Sequence, residues 1–319
     1  MKKALLLIVI VLFVLFAVLV YQKSSDISPA KQEHTVVTTI YPIYFMTKEI
    51  AGEHVNVKRL IKPGSEIHSF SPTPANMVEL DKADLLITLG KELEPWTGKL
   101  SAATHVEILS LGEGLDLVRN SEQSPEHHAE HKSEEGSGHQ QHRAGIDPHV
   151  WLDIDNNRKI VGMISRRLSV LYPEYSTQFE ENALKMQAKS KTVQKAYEQG
   201  LKQCAKHTIL VAHDAFGYME RAYGFEAESI MGVFANSRPD AAKIAELTKM
   251  IKEKKLRYLF FDPMVSSKSA SQLAHDMNLT LEPLYTLGNI SLENEKKDEN
   301  FLMLLYFNLK QLRKGLECR

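Results

Sequence analysis

Strand-like and helix-like segments alternate in both halves of this chain, and this alternation restricts the folds available to it. In the first half, short runs rich in β-branched or aliphatic residues occupy residues 36–40, 55–61, 83–89 and 106–109. In the second half, similar runs occupy residues 208–212, 226–231, 257–261 and 281–284. Alternation of this kind predicts parallel β-α units. We therefore predict an α/β fold with two lobes, each a mostly parallel sheet flanked by helices.

The segment between the two halves, residues 156–203, differs from both. It is charged and places apolar residues such as Ile160, Ile164 and Leu168 at helical spacing. Pro173 interrupts the pattern, and a second helix of about thirty residues is expected after it. We predict that the lobes are joined by a long, rigid linker helix. The predicted divisions are an N-terminal signal or anchor (1–22), a linker (23–34), an N-terminal lobe (35–155), linking helices (156–203) and a C-terminal lobe (204–319).

The N-terminal residues are typical of a segment that directs a chain across a membrane. Lys2 and Lys3 precede an apolar run from residue 4 to residue 21, close to the roughly 18–20 residues that span a bilayer. No cysteine follows the run, which argues against a lipid-modified cysteine, and no clear A-x-A cleavage site is present. We expect an uncleaved anchor rather than a cleaved signal. Either kind of segment places the remaining residues outside the cytoplasm, in the periplasm or on the outer face of the cell membrane.

Charge and cysteine content limit the kinds of partner and metal site that the chain can have. The formal net charge is −1, with 39 basic and 40 acidic residues, so nothing predicts a nucleic-acid partner. The two cysteines, Cys204 and Cys318, have no C-x-x-C spacing, which excludes a thiolate zinc site built from this chain alone. They could pair in an oxidising compartment, but the sequence leaves this open.

A histidine-rich tract, residues 121–145, lies late in the first half. Such tracts are typical of metal-binding segments, and imidazole suits zinc, copper and nickel. The tract has few apolar residues, so we expect it to be disordered without metal, and it could equally be a solvated linker. Its histidines are candidate auxiliary metal ligands: His127, His128, His131, His139 and His142.

Four isolated polar residues are candidates for a tighter site. His213 and Asp262 follow predicted strands of the second half, whereas His68 and His149 lie in loops of the first. Ligands of open α/β sheets bind beyond the carboxyl ends of the strands, so these side chains are expected to meet in the cleft between the lobes. Three imidazoles and one carboxylate match the four ligands that tetrahedral zinc prefers. Each residue alone could instead be an ordinary hydrogen-bonded loop residue.

Five local motifs together resemble a known family. The motifs are VVTTIYP (36–42), His68 with SPTP (71–74), LEPW (93–96), DPHVWLD (147–153) and AHDAFGY (212–218). They are similar to those of the zinc-uptake branch of the metal-binding solute receptors of ABC transporters, the cluster A-I or ZnuA-like proteins. The motif around His149 is the most specific. The resemblance extends over the whole chain after the N-terminal segment.

The resemblance implies a metal site and a transport function. His68, His149 and His213 would be ligands, and an imidazole at His213 favours zinc over manganese. Asp262 stands where zinc members often carry glutamate; it is one methylene shorter, so either Asp262 or a water would complete the shell. The protein is expected to be a monomeric receptor that captures Zn²⁺ as transported ligand and delivers it to an ABC-transporter permease, with the histidine-rich tract as a weaker trap.

Three other functions remain open at this point. A receptor of the same fold could take up manganese or iron. A zinc-dependent hydrolase would use a similar three-histidine site, but no H-E-x-x-H motif or obvious general base is present, and we expect no enzymatic activity. A zinc-storage or adhesion protein would depend mainly on the histidine-rich tract.

Overall fold

Two parallel four-stranded sheets form the framework of the described part of the chain. A computed structural model describes residues 34–91, 93–119, 145–230, 241–264 and 268–319. The first sheet has the order β2-β1-β3-β4 and the second the order β6-β5-β7-β8. The strands are β1 Thr35–Thr38, β2 Asn56–Arg59, β3 Leu85–Thr88, β4 Glu107–Ser110, β5 Thr208–Val211, β6 Glu226–Ser229, β7 Tyr258–Phe261 and β8 Thr280–Pro283.

Helices connect and flank these strands. The α-helices are α1 Tyr41–Ala51, α2 Pro74–Leu80, α3 Ile154–Leu171, α4 Ser176–Gly200, α5 Gly217–Tyr223, α6 Ala241–Glu253, α7 Lys268–Asp276, α8 Leu292–Lys296 and α9 Phe301–Gly315. Short 3₁₀ helices span Pro95–Ala102, Gly112–Gly114, Val150–Leu152 and Pro173–Tyr175.

The predicted fold class is confirmed. Every strand pair in both sheets is parallel, with Val36 opposite Leu85 in the first sheet and Leu210 opposite Leu259 in the second. Central strands β1, β3 and β5 are buried along their length, which explains why they read as continuous apolar or β-branched runs. The predicted strand at residues 55–61 is shorter, because pairing is limited to Asn56–Arg59.

Helices α3 and α4 occupy the segment predicted to link the lobes. Asp153 begins α3 by accepting hydrogen bonds from the backbone N–H groups of Asp155 and Asn156, at 2.8 and 3.0 Å. Helix α4 has 25 residues and packs against α3, against α1 of the first half and against α9 of the second. One hydrophobic core continues from Val36 of the first sheet to Phe260 of the second. The exact domain boundaries remain a prediction.

The two cysteines form a disulfide, which answers a question that the sequence left open. The bond joins Cys204, just before β5, to Cys318, just after α9, and closes a separation of 114 residues. Across the described residues, no helix is both long and apolar enough to cross a bilayer. The predicted signal or anchor (1–22) and linker (23–34, apart from His34) lie outside the described residues, as does the histidine-rich tract apart from Gly145.

Candidate metal centre

His68, His149 and His213 converge on one point between the two sheets. Nε2 of His149 lies 3.2 Å from Nε2 of His68 and 3.1 Å from Nε2 of His213. The three candidate ligand atoms all lie within 4.8 Å of one another. Nitrogens bound to one tetrahedral zinc at its usual bond length are about 3.3 Å apart. The spacing of the three rings therefore suits a shared cation of this size.

The three histidines reach this point from different kinds of structure. His213 lies two residues beyond β5, at the carboxyl end of the second sheet. His149 immediately precedes the 3₁₀ turn Val150–Leu152, and its side chain is fully buried. His68 lies in the loop between β2 and α2 and is only partly buried. The site thus combines two buried ligands with a third on a partly exposed loop.

Asp147 orients the His149 ring. Its Oδ1 lies 2.8 Å from Nδ1 of His149 and accepts a hydrogen bond from the His149 backbone N–H at 2.9 Å. The carbonyl of Asp147 in turn accepts a hydrogen bond from the Tyr218 hydroxyl at 2.8 Å. A partner at Nδ1 leaves Nε2 free to bind a metal, which is the usual arrangement of a metal-ligating histidine.

Burial keeps both inner histidines neutral. It lowers the pKa of His149 to about 3. Burial, and then the proximity of His149, lowers the pKa of His213 to about 3. Burial also raises the pKa of Asp147 to about 7, although the hydrogen bond from the His149 backbone opposes this. Since a neutral imidazole is the form that binds metal, His149 and His213 hold their ligand form at neutral pH.

Asp262 lines the same small pocket as His68, His213 and Glu66, but its oxygens are not among the three clustered ligand atoms. Its Oδ1 accepts a hydrogen bond from Met264 N at 2.9 Å, and Oδ2 accepts bonds from the backbone N–H (3.2 Å) and the hydroxyl of Thr286. Burial raises the pKa of this carboxyl, and the Thr286 hydroxyl opposes the shift. The role predicted for Asp262 as fourth ligand remains a prediction.

Two supporting residues were missed by reasoning from the sequence. Asp147 could have been found, because an aspartate two residues before a ligand histidine can turn back onto its ring. Thr286 carries no local signal: its carbonyl accepts a hydrogen bond from Trp151 Nε1 at 2.7 Å, and the two residues are 135 positions apart. The five histidines of the tract lie outside the described residues, so their predicted role as auxiliary ligands is untested.

Comparison with known proteins places these features in a family. Residues 36–315 match the family model described as zinc-uptake complex component A, periplasmic. The chain belongs to this family. The family predicted from the five motifs is therefore confirmed.

Individual relatives agree with this assignment. The chain is 32% identical over 293 residues to the zinc-binding lipoprotein AdcA of Streptococcus pneumoniae, covering 91% of this chain and 57% of that protein. It is 30% identical over 297 residues to the high-affinity zinc uptake system protein ZnuA of Bacillus subtilis, covering 92% and 91% of the two chains. The chain thus spans little more than half the length of the streptococcal AdcA proteins it matches.

Solved structures share the architecture. The Zn(II)-bound ZnuA-like domain of Streptococcus pneumoniae AdcA superposes with a TM-score of 0.73 at 29% identity, covering 89% of this chain and 99% of that domain. The metal-dependent lipoprotein YcdH of Bacillus subtilis gives the same TM-score at 28% identity. These relatives are named for metal binding or zinc uptake, not for catalysis.

Proposed function

We propose that this protein is an extracytoplasmic receptor that binds one Zn²⁺ through His68, His149 and His213 and delivers it to an ABC-transporter permease. The convergence of three Nε2 atoms at zinc-like spacing is the observation that carries the proposal. Zinc is here a transported ligand, so the site must both bind and release it.

The donor set favours zinc among the metals considered. Three imidazoles form a borderline site, whereas manganese prefers more carboxylate and water ligands. Asp262 lies close enough to line the pocket, and its carboxylate has acceptor capacity beyond the three hydrogen bonds it already receives. We propose Asp262 or a water as the fourth ligand, in line with a preference for four-coordinate zinc.

The family and the chain support a proposal for the location and partners of the receptor. The family description is periplasmic, and a disulfide between Cys204 and Cys318 suits an oxidising compartment. Residues 1–22 would tether the receptor to the membrane if they are not removed. The receptor would act as a monomer and present its bound ion to the permease. Residues 121–145 would raise the local zinc concentration as a weaker trap.

Calorimetry with the purified chain tests the zinc site. We expect one tight zinc site, and preference for zinc over manganese and iron in competition. Replacing His68, His149 and His213 together by alanine should abolish tight binding, whereas replacing the exposed His207 and His275 should not. Deleting residues 121–145 should leave the tight site intact. Tight binding in the triple variant, or its loss with the tract, would contradict the proposal.

Delivery requires a separate test. Zinc uptake by cells that lack their own receptor and carry a family permease should be restored by the intact gene. The triple histidine variant should not restore uptake although it is present at the same level. Restoration by that variant would show that metal binding at this site is not needed for transport.

A further inference from the structure

A short segment of the second half, residues 286–290, crosses to the first half beside the metal centre. We call it the bridging segment. At its start, Thr286 donates hydrogen bonds to Asp262 and accepts one from Trp151 Nε1 at 2.7 Å. Trp151 lies two residues beyond His149. The first residue of the bridging segment therefore connects Asp262, which follows β7, with Trp151 in the 3₁₀ turn after His149.

The middle of the bridging segment lies against the residue next to His68. The carbonyl of Gly288 accepts a hydrogen bond from the backbone N–H of Tyr41 at 3.2 Å. A Cβ atom on Gly288 would lie 2.3 Å from Ile67 Cδ1 and 2.8 Å from Trp151 Cζ2. A side chain at this position would therefore displace Ile67 or Trp151, and glycine lets the backbone approach both.

Asn289 holds the turn that leads to His68. Its Nδ2 donates one hydrogen bond to the Lys62 carbonyl at 2.9 Å and another to the Ser65 carbonyl at 2.7 Å. Its Oδ1 accepts a bond from Ile290 N at 2.8 Å, so both amide protons and the oxygen have partners. Asn289 is 6% exposed, which shields these bonds from water. The backbone N–H of Gly64 also donates to the Ile290 carbonyl at 3.1 Å.

We propose that Asn289 is a positioning residue that fixes the His68 loop against the second half and thereby slows zinc release. This inference rests on the proposed function as a zinc receptor. His149 and His213 are buried by their own surroundings, whereas the position of partly exposed His68 depends on the turn at residues 62–65. Breaking the two bonds of the Asn289 amide frees that turn, so His68 can leave the ion first.

The first test compares zinc dissociation from the full chain and from Asn289→Ala, with a fast chelator as trap. Loss of two buried hydrogen bonds should raise the dissociation rate about ten-fold. Asn289→Ser keeps one donor, so its zinc dissociation rate should lie between those of the full chain and Asn289→Ala. It also provides a test if the alanine variant does not fold. Asn182→Ala is the matched control, since Asn182 Nδ2 donates to the Ile50 carbonyl at 3.1 Å between α4 and α1, away from the ligands.

A double-mutant cycle separates positioning from general stability. If Asn289 acts through His68, then Asn289→Ala should not weaken zinc binding further in a chain that already carries His68→Ala. Cobalt(II) provides a spectroscopic measurement of the same step. If water replaces His68 on the metal in Asn289→Ala, the visible absorption that four-coordinate cobalt gives should fall. The absorption should not change in Asn182→Ala.

The outcomes distinguish the two proposals. If the unmutated chain does not bind zinc, the proposed function fails and this inference fails with it. If the unmutated chain binds zinc and both Asn289 variants release it at the unchanged rate, only the inference is overturned. An equal weakening by Asn289→Ala with and without His68 would also overturn it, because the effect would then not pass through His68.

Discussion

The two halves of the molecule contain sheets of the same strand order, yet they supply metal ligands in different ways. In the second half, His213 follows the central strand β5 by two residues, whereas no candidate ligand follows its counterpart β1. The first half instead supplies buried His149 just before the 3₁₀ turn Val150–Leu152 and His68 from the loop after β2, and the His68 loop is held by Asn289 of the second half. A ligand at a strand end is positioned by the sheet, while a ligand on a loop depends on contacts from elsewhere.

Strands β3 and β7 occupy the same position in their sheets, and the carboxylates that follow them differ. Each is followed by a buried carboxylate, Glu94 in the first half and Asp262 in the second. Asp262 receives hydrogen bonds on both oxygens and lines the metal pocket. Glu94 accepts a hydrogen bond from Leu89 N on Oε2, but its buried Oε1 makes no hydrogen bond of ordinary geometry among the described residues. Both carboxylates are buried, but Asp262 is hydrogen-bonded on both oxygens whereas Glu94 is hydrogen-bonded on one.

The largest expected difference is between buried His213 of the second half and partly exposed His68 of the first. His213→Ala removes a buried ligand that water replaces poorly, so zinc affinity should fall on the order of 1,000-fold, beyond the 10–100-fold typical of outer-shell partners. His68→Ala should cost less, because solvent can reach its partly exposed position and occupy the shell. Calorimetry by competition with a chelator measures both. Equal losses would show that burial does not separate the two ligands.

The disulfide gives the second half a covalent link that the described first half lacks. Replacing Cys204 and Cys318 by serine should lower the free energy of unfolding by about 3 kcal/mol, because the bond restricts a long loop in the unfolded chain. Denaturant unfolding of the zinc-free protein measures this change. Zinc affinity should remain near that of the unmutated chain, since the bond lies at the amino end of β5 and the site lies at its carboxyl end. A large loss of affinity would contradict this separation.

Glu94 should make stability depend on pH. Burial raises its pKa from 4.5 to about 7, although the Thr39 side chain and then the backbone N–H of Leu89 oppose the shift. Between these two pH values Glu94 is protonated in the folded state but ionised in the unfolded state. The free energy of unfolding therefore falls as pH rises from about 4.5 through 7. Glu94→Gln should raise the free energy of unfolding by about 2 kcal/mol at pH 8 and change it little at pH 4. Denaturant curves at both pH values measure this; equal effects would show that Glu94 does not titrate this way.

The parts of the molecule that could be predicted from the sequence are those with a local sequence pattern. The alternation of strands predicted both sheets, and the strand ends predicted where His213 and Asp262 would lie. The loop ligands His68 and His149 depended more on motif resemblance, and the structure brings both to the site. Asn289 could not be predicted, because its partners Lys62 and Ser65 are 227 and 224 residues away and an asparagine before a helix is an ordinary loop residue.

Asp262→Asn should produce the smallest effect and test whether the second half supplies one ligand or two. If the carboxylate binds the ion, loss of its charge should weaken zinc binding by up to about ten-fold, because water can take over the fourth position. Glu94→Gln is the matched control, since it makes the same chemical change after the counterpart strand and should not alter affinity. Thr286→Val removes only a donor to Asp262 and separates lost charge from lost orientation. If Asp262→Asn and Glu94→Gln both bind zinc as tightly as the unmutated chain, then water completes the shell and the second half supplies His213 alone.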